Sequence, residues 1–342
     1  MPNTELPPPP KAPLGHAPPR PRGSVRRTST IDADWPSGRT GAMHLAGRAR
    51  DILTSANSAQ SKLLAEAAFE AEMTRDRRIL SIEARPPHPR TAALWGERAG
   101  GHLRGVIAEA FPEEVRAGTP LHLILDDLSG VSLISPWAWS LWDPNWLSEM
   151  AQLKVDPQFA GNFNRENICA GLRTGSSGLD FMAEGIATDD LRSPEDPEGW
   201  HEFVTPEGAS MRRARRIDVS CDDLIRIDSH FQDSATTPSG VRMALHEYRV
   251  RATADPVSFE LLSIEAEPRV LPFAECPAAA ANVARLVGTP LPLLRQAVLA
   301  QLKGVAGCTH LNDAVRALAE APVLLRHIGG PAQAAAHERS AS

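Results

Sequence analysis

Apolar and polar residues alternate along several stretches of the chain, and each alternation predicts a half-buried strand. The clearest runs from Phe259 to Glu267. LIRIDSHF (224–231) and HEYRVRAT (246–253) alternate in the same way, with a turn at Ala254-Asp255-Pro256, and MRRARRIDVS (211–220) leads into them. The spacing then changes. Leu291, Leu294, Val298 and Leu302 recur at helical intervals, as do Leu311, Val315 and Leu318. An antiparallel meander of about four strands followed by three helices is an α+β unit. Upstream, RRTSTIDADW (26–35) and ILSIEARP (79–86) read as strands, and GGHLRGVIAEAFPEE (100–114) as a helix ended by its own proline. Periodicity leaves three stretches open: Leu45 to Thr54, Ala59 to Thr74 (helix or broken hairpin) and LHLILDDL (121–128; apolar strand or buried helix).

The upstream elements repeat downstream in the same order. RRTSTID (Arg26 to Asp32) matches RRARRID (Arg212 to Asp218), and LSIEARP (Leu80 to Pro86) matches LSIEAEP (Leu262 to Pro268). Leu94-Trp95-Gly96 matches Leu286-Val287-Gly288, and Ala117-Gly118-Thr119 matches Ala306-Gly307-Cys308. An internal duplication predicts two related units, each a meander followed by helices, joined by a Trp-rich middle segment. The expected divisions are a disordered Pro-rich tail (1–24), a first copy (25–130), the connecting segment (131–208), a second copy (209–322) and a C-terminal tail (323–342). In the connecting segment Trp137, Trp139, Trp142 and Trp146 fall within ten positions. They predict a helix packed into a seam, or an aromatic surface that docks a protein partner. DDLRSPEDPEGW (189–200) reads as an exposed acidic loop, and the arginines of MRRARRIDVS as a solvated edge that blunts strand pairing.

Composition narrows the class. A formal charge of -6 of mixed sign in 342 residues carries no nucleic-acid or membrane footprint, and no apolar run approaches a membrane span. A cytoplasmic protein with reduced thiols is expected, because the four cysteines (Cys169, Cys221, Cys276, Cys308) are few and uneven for a secreted framework.

The candidate chemistry lies in the second copy. Cys276 follows its last strand, Cys308 opens its last helix, and His246 and His310 accompany them. No cysteine precedes Cys169, and projecting His246 back through the LSIEA match lands on Leu64, so these donors are missing together from the first copy. A thiol at a helix start faces unpaired N–H groups, which favours thiolate. His246, Cys276, Cys308 and His310 are therefore the candidate ligands of a metal or sulfur-handling site, holding zinc or an iron–sulfur cluster. Two alternatives use the same residues. One is a thiol enzyme with Cys308 as nucleophile and His310 or His246 as base. The other is a non-catalytic interaction protein with buried cysteines and no cofactor. His44, His201 and His230 read as packed or hydrogen-bonded side chains, Asp126-Asp127 as capping or surface carboxylates, and Asp313 as a helix-start residue or a partner to His310.

RRARRIDV, HFQDS, LHEYRV, IEAEPRVLPFAECPAAAANVARLVG and GCTHLNDAVRALAE together resemble the bacterial family of unknown function DUF2889, which implies no activity. The order of strand hairpin, IEAEPRVLPFAEC, alanine-rich helix and CTHLNDAVRAL is also similar to NifU/IscU-type iron–sulfur scaffold domains. That likeness would make Cys276 and Cys308 two of the cluster ligands. His246 or Glu247 stands where that family has its first cysteine, and His310 follows rather than precedes the last one.

Overall fold

The computed structural model describes residues 12–328 apart from 59, 147, 150–165 and 180–184. Among them the alternating stretches join into one antiparallel sheet of nine strands. In chain order these are β1 (Ser24–Asp34), β2 (Met43–Thr54), β3 (Ser61–Met73), β4 (Ile79–Arg85), β5 (Ile186–Ala187), β6 (Ser210–Cys221), β7 (Ile225–Thr236), β8 (Arg242–Ala254) and β9 (Leu261–Val270). The spatial order is β4-β3-β2-β1-β6-β7-β8, with β5 and β9 both pairing β8. The two expected units are thus two halves of one sheet, joined where β1 pairs β6 from Ser24↔Ser220 to Asp34↔Ser210. The stretch from 59 to 74 contains strand β3, and the strand-or-helix segment at 121–128 lies within a helix.

The helices cover one face. α1 (Leu103–Ala110), α2 (Pro112–Ala117), α3 (Pro120–Ile134) and α4 (Ala138–Trp142) serve the first half. α5 (Leu294–Gln301), α6 (Thr309–Arg316) and α7 (Ala321–Leu325) serve the second. Thr119 caps α3 by accepting from His122 N, and Pro120 fills the first turn where no N–H is missed. Two apolar cores lie between sheet and helices. One is built on Phe69, Ile82, Phe111, Leu128 and Trp137, the other on Phe231, Tyr248, Leu286, Leu294, Leu311 and Leu318.

The opposite face is covered by chain that composition predicted to be loose. From Ala12 onward the Pro-rich segment packs across the sheet, so the expected tail to residue 24 is ordered in its second half. Arg20 binds Asp196 through both carboxylate oxygens, Ala17 N donates to Leu191 O at 2.8 Å, and Arg26 Nη2 donates to Pro18 O at 2.9 Å. The acidic loop shares this layer: Leu191 and Trp200 are buried with Ala17 and Ala214. Of the four clustered tryptophans, Trp137 and Trp146 are buried, Trp139 rests on Trp35 at 5.5 Å, and Trp142 Nε1 donates to Thr236 O. Each of the four thus makes contacts within the chain.

The basic run is the largest departure from expectation. β6 is central rather than an edge, and Arg212, Arg213, Arg215 and Arg216 are all buried. Alternation sends Arg212 and Arg216 to the strap side and Arg213 and Arg215 to the helix side. Each meets carboxylates there: Arg212 Asp32, Arg216 Asp218 and Asp228, Arg213 Asp233 and Asp313, Arg215 Asp127. A buried guanidinium is tolerated only when paired and hydrogen-bonded, which these are. Asp126 and Asp127, expected as caps or surface groups, belong to this buried network, with Arg295 and Arg316 on Asp126.

Candidate metal centre

Three strands set the geometry. In the β6–β7–β8 register Arg213 lies opposite Asp233, and Asp233 opposite His246. Residues directly opposite one another project to the same face, so the three side chains form a row toward the helices. A bulge follows Asp233 in the β7–β8 pairing, where Ser234 pairs with Ala244 and Leu245 is left over. The last helix completes the site. Cys308 is the residue preceding α6, and His310, in its first turn, lays its ring on that of His246 at 3.5 Å between centroids and 16° between planes. His310 Nε2 lies 3.6 Å from Asp233 Oδ2.

One donor atom from each of Asp233, His246 and His310 comes within 4.8 Å of the others, the one such cluster of three found among the described residues. Asp233 is fully buried and His246 nearly so, while about one-seventh of the His310 side chain (14 %) remains exposed. Burial, with a neighbouring imidazole for His246 and Arg213 for His310, pushes both histidines well below the usual histidine range. Both rings are therefore neutral, the form that binds metals. His246 Nδ1 is buried with no hydrogen-bond partner. Arg213 grips Asp233 with Nε to Oδ1 at 2.8 Å and Nη2 to Oδ2 at 2.9 Å. This fork uses one lone pair on each oxygen and leaves a second on Oδ2.

The sequence-predicted ligands divide. His246 and His310 meet, but Cys276 and Cys308 do not join them in that cluster. The Cys308 thiol lies 3.9 Å from His310 Nδ1, the ring nitrogen away from the one beside Asp233. Cys276 lies farther round, under Gly171, where an added Cβ would come 2.5 Å from its sulfur. The helix-start thiolates are not realised. Burial pushes the Cys308 thiol up to about 11, although the Tyr248 hydroxyl works against it, and burial with the Cys308 neighbour pushes Cys276 further. Asp233, which sequence reasoning missed, could have been found by carrying the repeat further, since RARD (48–51) and HFQD (230–233) both end on aspartate. The first half builds the matching row Arg27–Asp51–Ala65, with a bulge again after the aspartate. Ala65 stands opposite Asp51 as His246 stands opposite Asp233. Asp313 sits between Arg213 (3.1 Å) and Arg104 (2.7 Å) instead of at His310. His44, His201 and His230 are hydrogen-bonded, to Asp34 and Glu70, Thr30, and Glu247.

Residues 211–324 match the model of DUF2889, described as a protein of unknown function. The match runs from β6 to α7 and includes Arg213, Asp233, His246, Cys276, Cys308 and His310. No curated protein and no solved structure matches the chain, so the likeness to NifU/IscU-type scaffolds finds no support. None of the helices described is long and apolar enough to cross a membrane.

Proposed function

We propose that the DUF2889 segment is a metal-binding domain that holds one divalent ion between Asp233, His246 and His310. The observation that carries this reading is that donor atoms of two neutral imidazoles and a carboxylate lie within 4.8 Å of one another, beside a buried His246 Nδ1 that has no hydrogen-bond partner. Two nitrogens and one oxygen suit zinc or ferrous iron, whereas an iron–sulfur cluster needs thiolates, which burial here disfavours. Three protein donors are fewer than the four of a closed structural zinc site and leave a position for water or a small ligand. Arg213 fixes the carboxylate from its far side, as outer partners of metal ligands do. Elemental analysis of protein purified without added metal tests this reading. Near-stoichiometric zinc or iron is expected, lost in both His246→Gln and His310→Gln and retained in Cys276→Ser. No metal in the wild-type protein, or metal lost only with Cys276, refutes it.

The thiol-enzyme alternative gains one observation, the line Cys308 Sγ–His310–Asp233 at 3.9 Å and 3.6 Å. A thiol near 11 inside a buried site is a poor nucleophile, and we rank this reading second.

We further infer that the halves are copies of one unit. Support comes from the central register: Arg26 pairs with Asp218 and Asp32 with Arg212, so each half's arginine meets the other half's matching aspartate. Ser29 lies opposite Arg215, its counterpart in the repeat, which puts a local two-fold axis between β1 and β6. The first copy keeps the arginine–aspartate row and lacks the imidazole.

A further inference from the structure

Cys169, which sequence reasoning passed over, lies beside Cys308. Ala170 N donates to Gly307 O at 2.8 Å, so the peptide after Cys169 is hydrogen-bonded to the peptide before Cys308. Both cysteines are extended, at φ -157 and ψ 173 for Cys169 and φ -128 and ψ 129 for Cys308. Their α-carbons each adjoin that bonded pair of peptides, which puts them roughly 5–7 Å apart, the span a disulfide bridges. The cysteines differ in access: Cys169 is half-buried and Cys308 buried. The Tyr248 hydroxyl, buried and without a conventional hydrogen-bond partner, interacts with the Cys308 thiol, and His310 Nδ1 stands 3.9 Å from it.

From this we infer that Cys169 and Cys308 form a hydroperoxide-responsive thiol pair. The Cys169 sulfur attacks the distal oxygen of the hydroperoxide, the O–O bond breaks, and the thiol proton leaves with the alkoxide as an alcohol, or as water from hydrogen peroxide. The Cys169 sulfenic acid then meets the Cys308 sulfur. An S–S bond forms, the S–O bond breaks, and the Cys308 proton leaves with the departing hydroxide as water. Two thiols are oxidised by two electrons and one peroxide bond is reduced. The pair forms with or without an ion at the neighbouring histidines, so its test does not depend on the metal.

The experiment is non-reducing peptide mapping of the full chain after hydrogen peroxide. A monomer lighter by two hydrogens is expected, with Cys169 linked to Cys308 and the link reversed by dithiothreitol. Cys276→Ser leaves this unchanged. Cys308→Ala stops Cys169 at a sulfenic acid captured by dimedone, a positive signal that needs the folded loop. Peroxide that leaves both thiols unlinked, or that joins Cys169 to Cys276 or to a second molecule, overturns the inference.

Discussion

Replacing Gly130 by alanine separates the buried network from simple helix propensity. Gly130 lies inside α3, where alanine is ordinarily better by about 1 kcal/mol. Here a Cβ would overlap Arg213 Nη1 and stand 2.6 Å from Asp313 Oδ2. The end of an arginine is usually free to move aside, but this one is 2 % exposed and held by Asp233, Asp313 and Asp127. Moving it breaks a buried pair, at roughly 3–5 kcal/mol when the partner charges stay behind. Subtracting the helix gain leaves a net loss of about 2–4 kcal/mol. Urea denaturation should show the midpoint of Gly130→Ala falling accordingly. The variant should also bind zinc more weakly, because Arg213 no longer fixes Asp233. A midpoint equal to or above that of the wild-type protein would refute the claim that Arg213 is immobilised.

Further predictions follow from other parts of the same network. Burial alone would raise the Glu320 carboxyl, but Arg27 and Arg295 outweigh it and hold it at about 2, against 4.5 when unfolded. A depressed carboxyl stabilises the fold above its unfolded value, so this contribution, about 3 kcal/mol, is lost as pH falls from about 4.5 toward 2. Thermal unfolding across that range should be flatter in Glu320→Gln. Asp127 has the opposite sign, raised first by burial, and offsets part of the acid loss. His201, held at about 3 by burial and by Arg50, Arg212 and Arg48, adds stability that fades as pH falls from about 6.5, and His201→Gln should remove that slope. Asp32→Ala leaves Arg212 only the Val204 carbonyl as a hydrogen-bond acceptor and should cost about 3 kcal/mol in urea, with Asp218→Ala costing more because Arg26 loses its carboxylate and Arg216 keeps only Asp228. Neutral results at both positions would contradict the role given to the central β1–β6 seam.

Strands and helices were legible where one side of an element is apolar. Phe259 to Glu267, His246 to Thr253 and the spacing from Leu291 to Leu318 all carry a period that burial on one face imposes. The centre of the sheet was not legible, because β1 and β6 are covered on both faces and filled with paired charges instead of apolar residues. An arginine run has the same composition at a solvated edge as in a buried lattice of aspartates. Only the partners tell them apart, and Asp127, Asp233 and Asp313 come from three different elements. The Pro-rich strap misled for a related reason, since its order comes from Asp196 and Glu247, more than 170 residues away. At the proposed site, His246 and His310 were named from the sequence and Asp233 was not, because the carboxylate meets them through strand register. The thiols were named for helix-start chemistry that burial reverses.

X-ray absorption at the metal edge of the purified protein tests the central claim most directly. The account predicts a nitrogen and oxygen shell at about 2.0–2.1 Å, with imidazole scattering and no sulfur. A sulfur shell near 2.3 Å would move the site to the cysteines, and the absence of any metal edge would remove it.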